Sequence, residues 1–321
     1  MSRFNVANWA NGEPAHERAR DPDQASNVKV VYVMGAGRSG STILGVVLGN
    51  CADVFYAGEL DAWLRRSGVP NFGGTDRSEF WRRVSRQVDG ARLFGDQAWR
   101  CLEHSTALLR AHRWLTRRQL RVEYRATADG LYRVIAREAG VTHIVDTSHY
   151  PLRARELQRL DHIELYLVYL VRDPQHVVAS FGCRDVDQPS KSAAATNAYL
   201  WLTNALSVLI FMRHPRERRM FLRYEDFLAD PGGVLHGILG RIGLPAAPPE
   251  LTALRTGVPF QGNRLLRSPI ISLERTADKR PRRSWLTALC QLPWAAVFSH
   301  LADSGSGLSD GRHPHISGTD A

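Results

Sequence analysis

The chain has 321 residues, of which 44% are hydrophobic and 23% charged, and its formal net charge at pH 7 is +10. These values are ordinary for a globular protein built around one large core. The positive charge suits nucleic acid, an anionic surface or a strongly anionic small ligand as a partner. It equally suits a genome in which arginine broadly replaces lysine, so charge alone selects no partner.

The cysteines argue against a metal site and against a disulfide framework. They are far apart and show no C-x-x-C spacing, which favours a reducing cytoplasm as the location. No apolar run approaches the roughly 20 residues of a membrane span. The four cysteines are Cys51, Cys101, Cys183 and Cys290.

Composition divides the chain into three segments. Residues 1–27 are polar and lack the apolar core of a signal peptide, so we expect a disordered arm. Residues 302–321 are rich in Gly, Ser and His and are expected to form a disordered tail. Residues 28–301 then form one domain.

The predicted elements alternate between strand and helix. The first strand, VKVVYVM at 28–34, is apolar and β-branched, and helical spacing of apolar residues begins at STILGVVLGN, 41–50. Further strands are predicted at VFY, THIVD, IELYLVYLVRD and RMFLRYED, which end near residues 56, 146, 172 and 223. Further helices are predicted in residues 78–88, 131–140, 176–181, 193–214 and 232–244.

This order predicts an α/β fold, a P-loop-like and mostly parallel sheet flanked by helices on both faces within a single domain. Ligands of such sheets bind at the carboxyl ends of the strands. Charged residues cluster at these ends. They are Arg38, Glu59, Asp146, Arg172 and Arg223.

The stretch VMGAGRSGST, residues 33–42, departs from the nucleotide-binding pattern G-x-x-x-x-G-K-[ST] at one position. Gly35, Gly40 and Thr42 match, but Ser41 stands where the lysine is expected. The backbone N–H groups of such a loop bind an oxyanion, and Arg38 and Ser39 add further donors. The missing lysine argues against ATP chemistry. The alternative is a glycine turn that binds nothing.

A second motif, YLVRDPQHVVAS at 169–180, follows a predicted strand. Arg172 at the strand end and Ser180 two turns into the next helix are suited to a second phosphate. The alternative places Arg172 in a surface ion pair with Asp173 and leaves Ser180 solvated.

Together these motifs resemble the sulfotransferases that use 3′-phosphoadenosine 5′-phosphosulfate (PAPS). The resemblance runs from about Val28 to the region of Trp285 and looks closest to the bacterial, carbohydrate and tyrosyl-protein branch. It implies that Gly37 to Thr42 hold the 5′-phosphosulfate, without a metal. It also implies that Arg172 and Ser180 hold the 3′-phosphate, and that the product is adenosine 3′,5′-bisphosphate.

The resemblance places the catalytic glutamate at Glu59, in AGELDAW. The alternative is a glutamate that stabilises a helix N-terminus. His149 stands where the branch often has a lysine. It would act as a histidinium that stabilises the sulfate, as the base in place of Glu59, or only structurally. Thr147 and Ser148 are candidate caps of the following helix.

The segment GNRLLR, residues 262–267, resembles the part of the family that covers the donor. Gly262 and Asn263 match, and either Arg264 or Arg267 would contact the 3′-phosphate, of which Arg267 is the prediction. NFGGTDRSEFW lacks the branch's cysteines, which leaves the acceptor open.

Three further features have structural alternatives. Trp201 is expected either to stack on the adenine or to pack in the core. Arg223 and Glu225 are expected to form an internal ion pair, with Tyr224 and Phe227 in the core. The basic run of residues 278–285 is expected to be solvated, to cover the donor or to attract an acidic acceptor.

The predicted function is sulfuryl transfer from PAPS to a small-molecule or carbohydrate hydroxyl, with Glu59 as base and with Arg38 and His149 at the transferred group. The alternatives are a P-loop small-molecule kinase, a basic nucleic-acid-binding protein, and a family member that binds the donor without transferring sulfate. Aromatics interleaved with basic residues are absent, so no nucleic-acid partner is expected. The sequence leaves the oligomeric state open.

Overall fold

A five-stranded parallel sheet forms the centre of the protein in a computed structural model. Its strand order is β2-β3-β1-β4-β5. The model describes residues 27–66, 68–70, 74–88, 102–105, 108, 114–183, 191–245, 247–273 and 284–303. The strands are β1 (Val28–Gly35), β2 (Val54–Gly58), β3 (His143–His149), β4 (Ile163–Val171) and β5 (Arg219–Arg223). A separate antiparallel pair consists of β6 (Leu254–Arg255) and β7 (Ile270–Ile271).

Helices cover both faces of this sheet. Two 3₁₀ turns, Arg216–Arg218 and Arg264–Arg267, complete the described elements. The helices are α1 (Ser41–Gly49), α2 (Asp61–Arg65), α3 (Thr75–Gln87), α4 (Trp114–Ala139), α5 (Pro151–Leu157), α6 (Pro174–Gly182), α7 (Ala193–Met212), α8 (Tyr224–Ala229), α9 (Pro231–Ile242) and α10 (Trp285–Leu301).

The alternation of side chains along β1 separates two cores, because successive strand residues point to opposite faces. Tyr32 and Met34 pack with α2 to α5, α7 and α10 on one face. Val31 and Val33 pack with α1, α8 and α9 on the other. The central strands β1 and β4 are buried on both faces, which explains why they read as continuous apolar runs.

The predicted α/β fold is confirmed, with each predicted strand in the sheet and all five strands parallel. The carboxyl ends therefore share one edge, where β1 leads into the glycine loop. Sequence periodicity detected only the last part of α4 and missed α10 as a helix. The predicted arm (residues 1–27) and tail (residues 302–321) lie almost entirely outside the described residues and stay predictions.

The expectation that no apolar run approaches a membrane span was wrong for α7. This helix, Ala193–Met212, is long and apolar enough to cross a membrane by length and composition, although 44% of its apolar window is buried within the protein. It packs against α6 and α10 and contacts β1. Its apolar character therefore serves, at least in part, the core of the domain.

Candidate active site

The glycine loop follows β1, and its backbone leaves no room for a side chain at Gly35 and Gly40. Gly40 has φ 93°, and a Cβ there would lie 2.2 Å from the ring of Tyr224. At Gly35 a Cβ would lie 2.2 Å from the carbonyl oxygen of Leu170. Arg38 also adopts a left-handed conformation, with φ 69°. A non-glycine residue pays about 1 kcal/mol or more for this conformation, and such strain concentrates at ligand sites.

The loop presents unused hydrogen-bonding capacity at the start of α1. The Ser39 side-chain oxygen is buried, with the residue 2% exposed, and has no hydrogen-bond partner in the described structure. Ser41 and Thr42 are also buried, and Gly40 provides no side-chain cap for the helix. A buried hydroxyl without a partner is costly, so an oxyanion that accepts from it is the physical complement of this loop. These observations disfavour the glycine turn that binds nothing.

Arg172 reaches the same loop from the end of β4. One of its guanidinium nitrogens donates a hydrogen bond to the Arg38 carbonyl oxygen at 3.3 Å. Its guanidinium lies 4.8 Å from the centroid of the Tyr224 ring, the ring that also closes under Gly40. The structure thus brings together the two motifs that sequence reasoning found separately. Tyr224 is buried as predicted, but it is part of the site wall.

The environment of Asp173 differs from the predicted ion pairs. Its carboxylate caps α6 by accepting a hydrogen bond from the Gln175 N–H at 2.7 Å. Its own N–H donates to the carboxylate of Glu225 at 2.9 Å. Glu225 therefore braces the end of β4, while Arg223, its predicted partner, is exposed. Ser180 lies partly buried in the second half of α6.

Glu59 follows β2 and faces a backbone turn at Gln261. The Glu59 N–H donates to the Gln261 carbonyl at 2.8 Å, and the Gln261 side-chain amide donates to the carboxylate at 3.4 Å. Burial, with a smaller contribution from Asp146, raises the pKa of Glu59 to about 7, against the opposing effects of Gln261, Arg65 and Arg38. A carboxylate with this pKa is suited to act as a general base near neutral pH.

His149 ends β3 in a left-handed conformation with φ 57°. Its Nε2 atom would lie 3.8 Å from a Cβ built on Gly37, so the ring borders the loop. Burial lowers the pKa of His149 to about 4, and the nearby Lys191 and His104 also lower it. The imidazole is therefore neutral at pH 7. This argues against the histidinium role that the sequence left open.

Lys191 is a site residue that sequence reasoning missed. Its ammonium lies 4.5 Å from the centroid of Phe181 and 5.0 Å from that of Tyr199. The guanidinium of Arg38 lies 5.9 Å from the same Phe181 ring, and burial together with Arg38 lowers the pKa of Lys191. Two cations held near each other make the region favourable for an anion. Lys191 belongs to no motif, so no local pattern marked it.

A buried ionic cluster lies behind the site. Arg153 pairs with Glu103 at 2.6 Å and with Asp146 at 3.2 Å, and all three side chains are essentially inaccessible to solvent. Asp146 was predicted at the ligand edge, but its carboxylate accepts hydrogen bonds from Arg153, Ser148 and Tyr132. The protein itself therefore satisfies the hydrogen-bonding capacity of the Asp146 carboxylate.

This cluster connects to the site through Ser148. The Ser148 hydroxyl donates to Asp146 and accepts from the N–H of Asp61, two residues after Glu59, at 3.0 Å. The predicted capping role of Ser148 and Thr147 was wrong, because the residue before α5 is Tyr150 and no side-chain cap is formed there. Thr147 instead contacts the hydroxyl of Tyr56 at 3.3 Å. Ser148 thus couples the positions of β3 and α2.

Sequence comparison identifies the family. A model described as "Sulfotransferase family" matches residues 31–248. The chain belongs to the sulfotransferase family. No curated protein matches it in sequence.

A solved sulfotransferase domain shares the fold. The sulfotransferase domain from the Synechococcus PCC 7002 olefin synthase is 19% identical, and the match covers 88% of this chain and 98% of that domain with a TM-score of 0.51. The sulfotransferase domain from the curacin biosynthetic pathway is 17% identical, with coverage of 83% and 97% and a TM-score of 0.47. The assignment to the carbohydrate and tyrosyl-protein branch stays a prediction.

In this sulfotransferase, the segment of Gly262 and Asn263 adjoins the catalytic edge. Phe260 donates a backbone hydrogen bond to Ala57 at 2.8 Å, immediately before the contact of Gln261 with Glu59. A Cβ on Gly262 would lie 2.5 Å from the side chain of Leu266. Arg264 and Arg267 are both exposed, so the structure does not choose between them.

Trp201 lies away from the loop of this sulfotransferase. Its indole N–H donates to the Cys290 carbonyl at 2.7 Å, and its ring meets Trp294 edge-on at 5.1 Å. The side chain is 42% exposed. Trp201 thus packs on the outside of α10, and the structure supports neither adenine stacking nor core packing. The basic run at 278–283 lies outside the described residues.

A cavity of about 270 Å³ opens beside His149. This volume is near the lower end for small-molecule sites. Among the described residues, no group of three or more His, Cys, Asp or Glu side chains is arranged to hold a metal ion. The residues lining the cavity include Gly35, His104, His149, Ala198, Tyr199 and Leu202.

Proposed function

We propose that this sulfotransferase moves a sulfuryl group from PAPS to the hydroxyl of a small-molecule acceptor. The observation that carries the proposal is the pairing of two features on one sheet edge. The buried Ser39 hydroxyl lacks a partner in the described structure, and Glu59 has a pKa near neutrality. The first complements an anion and the second suits proton removal. We also assign the enzyme to the cytoplasm, on the argument from its cysteines.

The donor site in this proposal has two ends. Gly37 to Thr42 hold the 5′-phosphosulfate through loop amides, hydroxyls and the Arg38 guanidinium. Arg172 and Ser180 hold the 3′-phosphate, together with the segment that contains Gly262, Asn263 and Arg267. The hydrogen bond from Arg172 to the Arg38 carbonyl oxygen supports the role of Arg172, because it places this arginine beside the loop. Bound PAPS would supply the sulfuryl group, and no metal is required.

Glu59 removes the proton of the acceptor hydroxyl as the acceptor oxygen attacks sulfur in line, and adenosine 3′,5′-bisphosphate leaves from the opposite side with the bridging oxygen. The loop amides, Arg38 and Lys191 stabilise the negative charge of the transferred group, as preorganised donors do in other transfer reactions. His149 is neutral and borders both the loop and the cavity. Its role is to position the acceptor hydroxyl through a hydrogen bond.

The cavity beside His149 favours a compact and largely apolar acceptor over a carbohydrate. Alanine, leucine and tyrosine side chains provide much of its wall. A sugar presents a hydroxyl on nearly every carbon, and each one buried without a partner is costly. A phenol or an apolar alcohol has one hydroxyl to place at His149 and buries the rest of its surface favourably.

Calorimetric titration tests the donor assignment. Adenosine 3′,5′-bisphosphate should bind without metal, ATP with magnesium should not, and Arg172→Ala should abolish binding. Arg223→Ala is the matched control, because Arg223 is an exposed strand-end arginine on the neighbouring strand. Binding of ATP without binding of the bisphosphate would favour the kinase instead. Binding of the bisphosphate with no transfer to any of a panel of phenols and alcohols would indicate a member that has lost catalysis.

A further inference from the structure

Helix α10 exposes an apolar face that the fold does not use. Its 17 residues, WLTALCQLPWAAVFSHL, contain no Asp, Glu, Lys or Arg. Thr287, Gln291 and Trp294 are buried, whereas Trp285, Leu289 and Leu292 on the opposite side are 77%, 62% and 65% exposed. Large apolar side chains in an exposed stripe mark an interaction surface, unlike single exposed ones.

Helix α7 extends this surface. Leu209 and Met212 are exposed and lie at helical spacing from Trp201, which is also exposed. Trp201 joins the two helices through its hydrogen bond to the Cys290 carbonyl and its edge contact with Trp294. We call the exposed side chains of the two helices the α7–α10 face. They are Trp201, Leu209, Met212, Trp285, Leu286, Leu289 and Leu292.

Positive charge flanks this face. Arg213 follows Met212 directly and Arg216 stands three residues further on, and both are exposed. In the sequence, four basic residues stand within the seven positions before Trp285, and the whole chain carries a net charge of +10. A helix with exposed leucines and a tryptophan next to clustered basic residues has the chemistry of an anionic lipid interface.

We propose that the α7–α10 face docks this protein onto an anionic lipid surface. The helices lie along the interface and do not cross it, because the inward sides of α7 and α10 are buried in the domain. A second copy fits the face less well. The seven side chains of the face include no acidic residue, so in a two-fold contact the face of one copy offers no partner to Arg213 and Arg216 of the other. Electrostatic attraction to lipid headgroups uses these arginines instead.

Vesicle co-sedimentation of the full chain tests the proposal. Wild-type protein should pellet with vesicles of phosphatidylcholine and phosphatidylglycerol, and added salt should weaken this binding. Leu289→Glu/Leu292→Glu should lower the apparent affinity about tenfold or more, because two apolar anchors become anionic. Val122→Glu is the matched control, since Val122 is an exposed apolar residue on α4, away from the face. Its binding should equal that of wild type.

Two further measurements keep the result interpretable. Circular dichroism should show that the variants are folded. If the Leu289→Glu/Leu292→Glu variant is unfolded, the milder variant Leu289→Gln/Leu292→Gln takes its place. Light scattering without vesicles should show the same mass for wild type and variant. Absent wild-type binding to anionic vesicles, equal binding of the Leu289/Leu292 variant, or a dimer that this variant dissociates would each overturn the proposal.

Discussion

Ser39 in the glycine loop and Asp146 in the ionic cluster are both buried polar residues, but they differ in how their hydrogen-bonding groups are satisfied. In the loop, the Ser39 hydroxyl lacks a described partner and the backbone of Arg38 is strained. In the cluster, Asp146 accepts from three neighbours and Arg153 donates through all its guanidinium nitrogens. A native protein tolerates an unsatisfied buried group mainly where a ligand completes it.

The difference separates the glycine loop, which binds a ligand, from the Asp146 cluster, which stabilises the fold. Changes in the loop should weaken ligand binding and leave the fold stable. Changes in the cluster should destabilise the fold. Glu59 lies between the two, because its only side-chain hydrogen bond in the described structure is the long one from Gln261, yet Asp61 nearby is anchored to the cluster through Ser148. The following predictions test that separation.

The largest effect is expected at Glu59. Glu59→Gln should lower kcat/KM by about 10²–10⁴-fold, the usual contribution of a general base. In wild type, kcat/KM should rise with pH through a midpoint near 7, because Glu59 is protonated below its raised pKa. Affinity for adenosine 3′,5′-bisphosphate should change little. A variant that kept the wild-type rate and pH profile would remove Glu59 from the mechanism.

The same shift has a consequence for stability. Because the folded pKa of Glu59 is raised, its contribution is favourable at low pH and is lost as the pH rises through about 7. Glu59→Gln should therefore raise the melting temperature relative to wild type at pH 8 and have less effect at pH 5. Thermal melts at pH 5 and pH 8 provide the measurement. An equal change in melting temperature at the two pH values would contradict the raised pKa of Glu59.

Arg153→Met should lower the free energy of unfolding by about 3–5 kcal/mol, because it leaves the Asp146 and Glu103 carboxylates buried without their cation. Denaturant unfolding measures this. Arg133→Met is the control, since the Arg133 side chain is exposed and its partner Asp129 also pairs with His162, so the loss of Arg133 should cost about 1 kcal/mol or less. Equal losses in the two variants would show that the cluster does not stabilise the fold.

Lys191→Met should lower kcat/KM about tenfold, since a partly solvated cation acts through a high dielectric. Steady-state kinetics should show most of this loss in kcat if Lys191 acts on the transferring sulfate. Lys29→Met is the control, because the Lys29 ammonium binds the Ile242 carbonyl at 2.7 Å, at the amino-terminal end of β1. A loss confined to KM would assign Lys191 to ground-state binding alone.

An effect of similar size, and the most diagnostic one, is expected at Ser39. Ser39→Ala should weaken binding of the bisphosphate only if a phosphate oxygen accepts from the hydroxyl, by about tenfold. The free energy of unfolding of the ligand-free protein should stay level or rise by up to about 1 kcal/mol, because an unsatisfied buried hydroxyl has been removed. A variant that is destabilised without ligand would show that the hydroxyl has a structural partner.

The sequence predicted what local pattern and chain order determine. The continuous apolar runs of β1 and β4 indicated buried parallel strands, and the loop and Arg172 were predicted at the correct edge. Tertiary contacts decided the rest. Asp146 looked like a ligand residue, because nothing local shows that Arg153, Tyr132 and Ser148 surround it.

His149 and Lys191 illustrate the same limit. The neutral state of His149 follows from its burial, and the relevance of Lys191 follows from its approach to Phe181. Neither property can be inferred from the spacing of residues in the sequence. Helix α10 was not predicted because its apolar residues are not confined to one side of the helix. This is expected for a helix that has apolar residues on its exposed side as well as on its buried side.

The ring of Tyr224 touches both ends of the proposed donor site, under Gly40 on one side and against Arg172 on the other. The two ends therefore share one wall, the Tyr224 ring. We expect fragments that occupy only one end, such as sulfate and adenosine 3′-phosphate, to influence each other's affinity. Fragment affinities measured separately would then misstate the affinity of the joined molecule, because a fragment at one end fixes the position of the Tyr224 ring that borders the other end.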